Sequence, residues 1–351
     1  MADTTVSLTI GGDRHEGWHE VRVTRSIDAL TGSFSLMLAD SWAARKSPFP
    51  VEAGARCTLS IGGETVITGH VDRVNPRVAG DDHTIQVVGR DLAADLVDCA
   101  AIAPPGSWRA VPMAAIVRQI VAPFGLTVTM TVQDAPVRMF ALQPGDTAHA
   151  AIERLLRFRG LIAISLADGS IALTSPDNGA PAEVLELGAN LIDAEAAFDV
   201  TERFSEVIVK GQAAGDDRAH GRSVSAGRGR AVDPAVTRYR PLILIAEDQA
   251  LAGGLEARAK WEVSTRAARG QSVRLVAQGW HRADGRLRTH NSMISIRAPM
   301  IAVDGPMLIE SISYVLGSDG TTTEMVAVPR DAWTQLPVAE PSAARIGKVR
   351  A

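Results

Sequence analysis

Apolar and polar side chains alternate along much of the first hundred residues. Phe34, Leu36 and Leu38 occupy every second position of one such stretch. A period of two places successive side chains on opposite faces of an extended chain, which is typical of a strand with one buried face. The Gly-Gly pair at 62–63 separates two further alternating runs and predicts a tight hairpin turn, because both central residues need positive φ. We therefore predict an all-β domain, a sheet or barrel, over residues 1–99.

The period changes to that of a helix after residue 112. Apolar side chains three and four positions apart share one helix face, and here they are Met113, Ile116, Val117, Ile120 and Val121. Asp146 is the expected N-cap of a second helix, since its carboxylate can accept a hydrogen bond from the first helical turn. An Asp-Gly pair at 168–169 then separates two short apolar runs, as in a β-hairpin. These features predict a small α+β insert over residues 100–180.

The alternating pattern resumes near Val184 and predicts a second β domain over residues 181–335. Inside it we predict one long helix over 248–269. Acidic residues begin this segment and arginines end it, which is the order that the helix dipole favours. The polar residues 336–351 are predicted to form an extended C-terminal tail.

A Gly-, Arg- and Asp-rich stretch over residues 212–233 has no apolar period and is predicted to be a loop. Its Arg222, Arg228 and Arg230 are the candidate contacts with a partner. Nearby acidic residues and the absence of interleaved aromatic residues argue against a nucleic-acid site.

Composition narrows the function further. The 351 residues carry 36 basic and 40 acidic side chains, a formal charge of −4, so no overall field attracts nucleic acid or anionic lipid. The sequence contains no run of 18 apolar residues, so we expect no membrane span. Its two cysteines are too few for a disulfide framework.

One short motif suggests an enzyme. His15, Glu16 and His19 match the H-E-x-x-H pattern of zinc metalloproteases. That chemistry needs a helix, where both imidazoles lie one turn apart and share the metal. Here the motif lies between a Gly-Gly turn and an alternating strand, and positions four apart in a strand are separated by about 13 Å. We predict no catalytic, cofactor-binding or metal-binding residue; the alternative is a metal-dependent protease or cell-wall hydrolase using these three residues.

The order of segments resembles the baseplate hub proteins of contractile phage tails, most closely the Mu-like tail protein P family. The likeness covers nearly the whole chain and is carried mainly by turn glycines and strand ends. It lies in residues 8–12, 17–18, 23–28, 32–34, 61–64, 68–72, 89–92, 95–99, 143–146, 188–191, 238–241, 261–262 and 279–280.

This resemblance implies a mainly β fold with an α+β insert: two tail-tube-like β-barrel domains, a small α+β domain and one long helix, with strands exchanged between domains. It implies a non-enzymatic homotrimer, a ring joining the sixfold tail tube to the threefold central spike. The implied partners are the central spike protein, the tail tube protein, baseplate wedge proteins and the tape-measure protein. DNA would pass through the lumen without specific binding, and the protein would belong to the virion tail baseplate after assembly in the host bacterial cytoplasm.

Overall fold

A computed structural model describes residues 3–39, 51–79, 82–211, 228–245 and 254–337. The strands before the insert are β1 (Val6–Ile10), β2 (Asp13–His15), β3 (Glu20–Ser26), β4 (Ser33–Ala39), β5 (Arg56–Ile61), β6 (Glu64–Ala79) and β7 (Asp82–Asp91). The insert and the helix leading into it contain α1 (Ala94–Asp98), β8 (Ser107–Pro112), α2 (Met113–Val121), β9 (Val128–Met130), β10 (Pro136–Ala141), α3 (Ala148–Leu156), β11 (Ile162–Ser165) and β12 (Ile171–Thr174).

The remaining elements are β13 (Val184–Glu186), β14 (Leu191–Phe198), β15 (Glu206–Lys210), β16 (Arg228–Val232), β17 (Pro241–Ile245), α4 (Gly254–Arg269), β18 (Gln271–Gln278), β19 (Met293–Ala298), β20 (Val303–Gly317) and β21 (Gly320–Val328). None of the helices in the described segments is long and apolar enough to cross a membrane. The mainly β class is confirmed, and the described helices are few.

Thirteen of the described strands form one sheet that spans both β regions. Its main order is β14-β18-β21-β20-β3-β4-β7-β6-β5-β1-β2, with β19 and β13 attached beside β20. The two regions meet where β3 pairs antiparallel with β20, from Ser26 opposite Ser311 to Val21 opposite Leu316. Buried side chains from both regions belong to a single hydrophobic core.

The same strand order occurs twice in this sheet. In the first region the antiparallel order is β5-β6-β7-β4-β3, and in the second it is β19-β20-β21-β18-β14. If the five strands of each region are numbered in chain order, both regions have the spatial order third, fourth, fifth, second, first across the sheet. We call these two sets unit 1 and unit 2.

The long strands of the two units also share their irregularities. In β6 the pairing with β7 shifts between Val71 and Arg73, and in β20 the pairing with β21 shifts between Ile309 and Ser311. The last residue pair of each ladder, Ala79 opposite Asp82 and Gly317 opposite Gly320, comes six residues after the bulge. A bulge bends and twists a strand, so the units share a bend as well as an order. Arg73 of unit 1 therefore corresponds to Ser311 of unit 2.

Among the described strands, β14 and β2 are the two ends of the sheet order, and neither unit closes into a full ring of ladders. The two tail-tube-like barrels therefore stay a prediction. The hairpin at the Gly-Gly pair is confirmed, with φ of 56° at Gly62 and 82° at Gly63.

The insert has its own core, built by α2 and α3 against β9, β11 and β12. The predicted cap of α3 is wrong by one residue, because Thr147 accepts the hydrogen bond from the Ala150 N–H at 3.1 Å. The carboxylate of Asp146 instead accepts from Arg154 at 2.6 Å. Asp146 thus holds the helix from the side rather than at its end.

Buried polar groups fix the insert to the sheet. Arg25 of β3 donates to the carbonyl oxygen of Ser165 in β11. Beside it, Asp91 accepts from the Gly32 N–H at 2.6 Å, and burial raises the pKa of this carboxyl. A buried charge that lost its partners would be costly, so this cluster sets the position of the insert.

The predicted loop over residues 212–233 is wrong at its end, because 228–232 form strand β16. This strand pairs with β15, which also pairs with β17 in a separate three-stranded sheet under α4. Of the predicted long helix, residues 254–269 are confirmed as α4 and residues 248–253 lie outside the described residues. Of the predicted tail, residues 338–351 lie outside them too.

A substitution at Gly89 in β7 tests how closely the side chains and backbone of unit 1 are packed. An added methyl group would lie 2.3 Å from the His70 carbonyl oxygen and 2.4 Å from the Phe34 ring. We expect Gly89→Ala to lower the free energy of unfolding by about 2 kcal/mol, as overpacked cores do. Urea unfolding followed by tryptophan fluorescence measures this change.

Gly317→Ala is the matched control, because an added methyl group at this site in β20 meets no atom within 4 Å. Its free energy of unfolding should stay within about 0.5 kcal/mol of the parent, as for most exposed changes. Equal losses in both variants would contradict the packing described for β7.

Candidate assembly surface

The end strand β14 presents an unpaired edge. In the described part of the chain β18 is the only strand that pairs with it, and its first residue, Leu191, also forms a single bridge with Leu187. Glu195 is 71% exposed and Phe198 is 56% exposed, whereas Ala194 and Ala196 pack partly against the core. An exposed edge with a large aromatic side chain is a template for pairing with another chain.

The outer half of β6 presents a second unpaired edge. The partner strand β5 ends its pairing at His70, and beyond that point β6 continues with β7 alone among the described strands. Arg73 and Arg77 are exposed on this half, and Val78 is 57% exposed. Val74 alternates with them and packs partly against the core.

The two edges carry opposite charges. Asp193 and Glu195 are exposed on β14, with Arg274 of the neighbouring strand 3.9 Å from the Glu195 carboxylate. The exposed charges of β6 beyond its bulge are Arg73 and Arg77, while the carboxylate of Asp72 at the bulge is ion-paired with Arg90 at 2.7 Å. Sequence reasoning missed both sets because charged residues at every second or fourth position of a strand also suit an ordinary solvated face. The signal that was available is the length of β6, which extends beyond the end of its partner strand β5.

The predicted partner-contact arginines lie only partly within the described residues. Arg222 lies outside them, while Arg228 and Arg230 are on β16. The Arg230 guanidinium is ion-paired with Glu206 of β15, and this hydrogen bond lowers the pKa of the Glu206 carboxyl. Arg228 lies 3.8 Å from the same carboxylate. A role for these arginines in partner contact stays a prediction.

The H-E-x-x-H motif has the geometry of a strand end and a turn. His15 ends β2, Gly17 has a φ of +85°, and the His19 N–H donates to the Met37 carbonyl oxygen at 2.8 Å. The Glu16 carboxylate is ion-paired with Arg14 at 2.6 Å. Across the described ranges, no three His, Cys, Asp or Glu side chains are grouped so that they could hold a metal. The helical arrangement that a zincin requires is therefore not formed.

Two units of one strand order, one continuous sheet, and strand edges that no described strand covers are features typical of a structural protein that assembles into a larger β-rich particle. Four family models match successive parts of the chain. The first model describes the N-terminal domain of Mu phage baseplate assembly protein GpP-like proteins and matches residues 5–91. The next describes the second domain of baseplate hub protein gp44-like proteins and matches residues 93–175. The third domain of NMB1110-like tail proteins matches 203–261, and the fourth domain of Mu phage GpP matches 253–335.

Individual relatives agree with these models. The chain is 34% identical over 339 residues to baseplate hub protein gp44 of Escherichia phage Mu, covering 94% of this chain and 89% of that protein. It superimposes on the 43 kDa tail protein of prophage MuSo2 from Shewanella oneidensis with a TM-score of 0.84 and 29% identity, over 95% of this chain and all of that one. The tail protein of Neisseria meningitidis MC58 shares the fold, with a TM-score of 0.81 and 21% identity over 95% and 99% of the two chains.

The chain belongs to the Mu-like baseplate hub family. It is a structural component of a phage tail baseplate, as the resemblance implied, and not an enzyme. The enzymatic alternative through His15, Glu16 and His19 is thereby set aside.

We predict that the double substitution His15→Ala and His19→Ala leaves both the fold and the metal content unchanged. His15 ends a strand and His19 follows a turn, so the two imidazoles do not lie one helical turn apart as a shared zinc ion requires. Thermal unfolding should shift by less than about 2 °C, as for most substitutions outside the core. Elemental analysis of the purified protein provides the second measurement, and about one zinc per chain in the parent, lost in the variant, would contradict the geometry.

Proposed function

We propose that this protein forms a homotrimeric ring that joins the sixfold tail tube to the threefold central spike. The observation that supports the proposal is the repeated strand order of units 1 and 2 within one chain. Three copies of a chain with two similar units supply six similar positions. Such a ring matches a sixfold partner on one face while keeping true threefold symmetry on the other.

Each unit is the proposed counterpart of a tail-tube-like β-barrel. Both units combine a short strand, a long bulged strand and the next strand along the chain in the same antiparallel order. Bulges increase local twist and curvature, which a sheet needs in order to curl into a barrel. Residues 1–99 and 181–335 would then be the two tube-like domains, with the 100–180 insert between them.

The outer face of the joined strands suits the wall of a channel for DNA. Both terminal nitrogens of Arg22 donate hydrogen bonds to the Glu324 carboxylate, at 2.7 and 3.0 Å. The hydroxyl groups of Thr24 and Ser313 are hydrogen-bonded to each other at 2.8 Å. An arginine already held by a carboxylate has less capacity to bind phosphate. We propose that this face lines the lumen, so that DNA and the tape-measure protein pass without specific binding.

The remaining proposed partners follow from the place of the ring in the tail. The tail tube protein would contact one face of the ring, the central spike protein the other, and baseplate wedge proteins the periphery. Assembly would take place in the host bacterial cytoplasm, before the finished particle is released.

Light scattering after size-exclusion chromatography tests the oligomeric state. We expect a species of three times the 37.1 kDa chain mass, since a head-to-tail contact that closes makes a ring. Negative-stain images should show an open axis. A stable dimer, or a trimer whose axis is filled, would contradict the proposed ring.

A further inference from the structure

We infer that the outer half of β6 in one copy pairs antiparallel with β14 of the next copy, in the register by which β20 pairs with β3 inside each chain. The inference rests on the proposed trimeric ring and adds to it the contacting strands and their register. It concerns two edges that no strand of the described ranges covers, and it does not depend on the lumen or the spike.

The equivalence of the two units generates the pairing. By position in the repeated order, β6 corresponds to β20 and β14 corresponds to β3. Along the side of β20 that faces away from β21, β19 pairs with residues 303–308 and β3 continues with residues 311–316. Along the same side of β6, β5 pairs with residues 64–70, and the described residues provide no strand for 73–78. The position that β3 fills in unit 2 is open in unit 1.

The register follows from the ladders without adjustment. The bulges equate Arg73 with Ser311. The ladders through β4 and β18 equate Val23 with Ala196, because Val23 lies opposite Phe34 and Ala196 lies opposite Val273. Transferring the β3–β20 pairs gives Arg73 opposite Asp199, Val74 opposite Phe198, Asn75 opposite Ala197, Pro76 opposite Ala196, Arg77 opposite Glu195 and Val78 opposite Ala194.

This register places complementary side chains opposite each other. Arg77 faces Glu195 on the outer side of the sheet, and Arg73 faces Asp199, so each exposed arginine of the free half of β6 meets a carboxylate. On the core side, Val74 faces Phe198 and Val78 faces Ala194. Cross-strand pairs of opposite charge and of apolar groups stabilise antiparallel sheets. A shift by one residue would put charges on the core side and lose both sets of pairs.

The pairing also accounts for exposed apolar side chains on the free chain. Phe198 and Val78 are each more than half exposed. In the paired sheet each would contact its cross-strand neighbour on the core side. Pro76 brings no N–H, so the ladder has at most one donor fewer than the β3–β20 ladder. Because each copy offers one edge of each kind, the contact is head-to-tail, and a closed ring of three leaves neither edge free.

Charge reversal tests the pair at the centre of the seam. Arg77→Glu and Glu195→Arg should each raise the concentration at which the trimer dissociates by about tenfold, since each places like charges opposite one another in all three seams. The chain with both substitutions restores opposite charges and should recover most of the loss. Arg14→Glu is the control, because Arg14 is an exposed, ion-paired arginine on β2 outside the seam. Sedimentation velocity over a concentration series gives the readout, and thermal unfolding verifies the fold of each variant.

Disulfide trapping tests the register directly. In a Cys99→Ser background, Asn75→Cys with Ala197→Cys should give covalent trimers on a non-reducing gel, because β-carbons of opposed residues lie within reach of a disulfide. Six strands separate β6 from β14 within one chain, so a link must join two copies. Asn75→Cys with Asp193→Cys is four residues out of register and should not link.

The outcomes separate this inference from the proposed function. A parent protein that is monomeric at all concentrations, with no cross-link, would overturn both. A parent trimer that persists unchanged in Arg77→Glu and Glu195→Arg, and is not trapped by the 75–197 cysteine pair, would leave the ring standing and overturn the seam. The seam would be established if the trimer is weakened in each single charge variant, recovers in the double variant, and is cross-linked only by the cysteine pair that is in register.

Discussion

The ladder between β3 and β20 is the contact on which the rest of the molecule depends. Six consecutive residue pairs join strands that are almost 300 residues apart in sequence. Val23 and Tyr314 are buried in the common core on one side of this ladder, while Thr24 and Ser313 share a hydrogen bond on the other. Because a slip by one residue would exchange these faces, the ladder fixes how unit 1 is oriented relative to unit 2. It also supplies, inside one chain, the example of how two such units join.

The repeated strand order is preserved although the sequences of the two units differ. The outer half of β6 carries arginines and a proline, while the corresponding half of β20 carries serines, isoleucine and tyrosine. The difference follows from the partners in the free chain: β20 is covered by β3, and β6 has an open edge in the described residues. Charged residues and proline on an open strand edge disfavour pairing with unrelated strands. Opposite charges on a second edge allow pairing with that edge alone.

Sequence reasoning predicted the local elements well and their pairing poorly. Alternation identified β4, which has one face on the core, and the Gly-Gly pair identified the hairpin between β5 and β6, since its turn has a defined geometry. Strand β16 was missed because its inward positions are Gly229 and Ala231, too small to show a period; Gly229 lies against the backbone of Leu255 in α4. The prediction of Asp146 as cap failed because the neighbouring Thr147 can also cap and does so, while Asp146 accepts a hydrogen bond from Arg154 of the same helix. The strand order depends on which surfaces meet in the core, and no local pattern contains that information.

Membership in the Mu-like baseplate hub family places the chain in a phage tail, and the repeated unit offers a physical reason for that location. The central claim is that two equivalent units per chain build a ring with nearly sixfold order from three copies. Electron cryomicroscopy of the purified assembly, viewed down its axis, tests this most directly through the rotational power spectrum of the class averages. The account predicts a dominant sixfold harmonic with a weaker threefold one around an open centre. A spectrum with a threefold harmonic alone, or with twofold order, would contradict it.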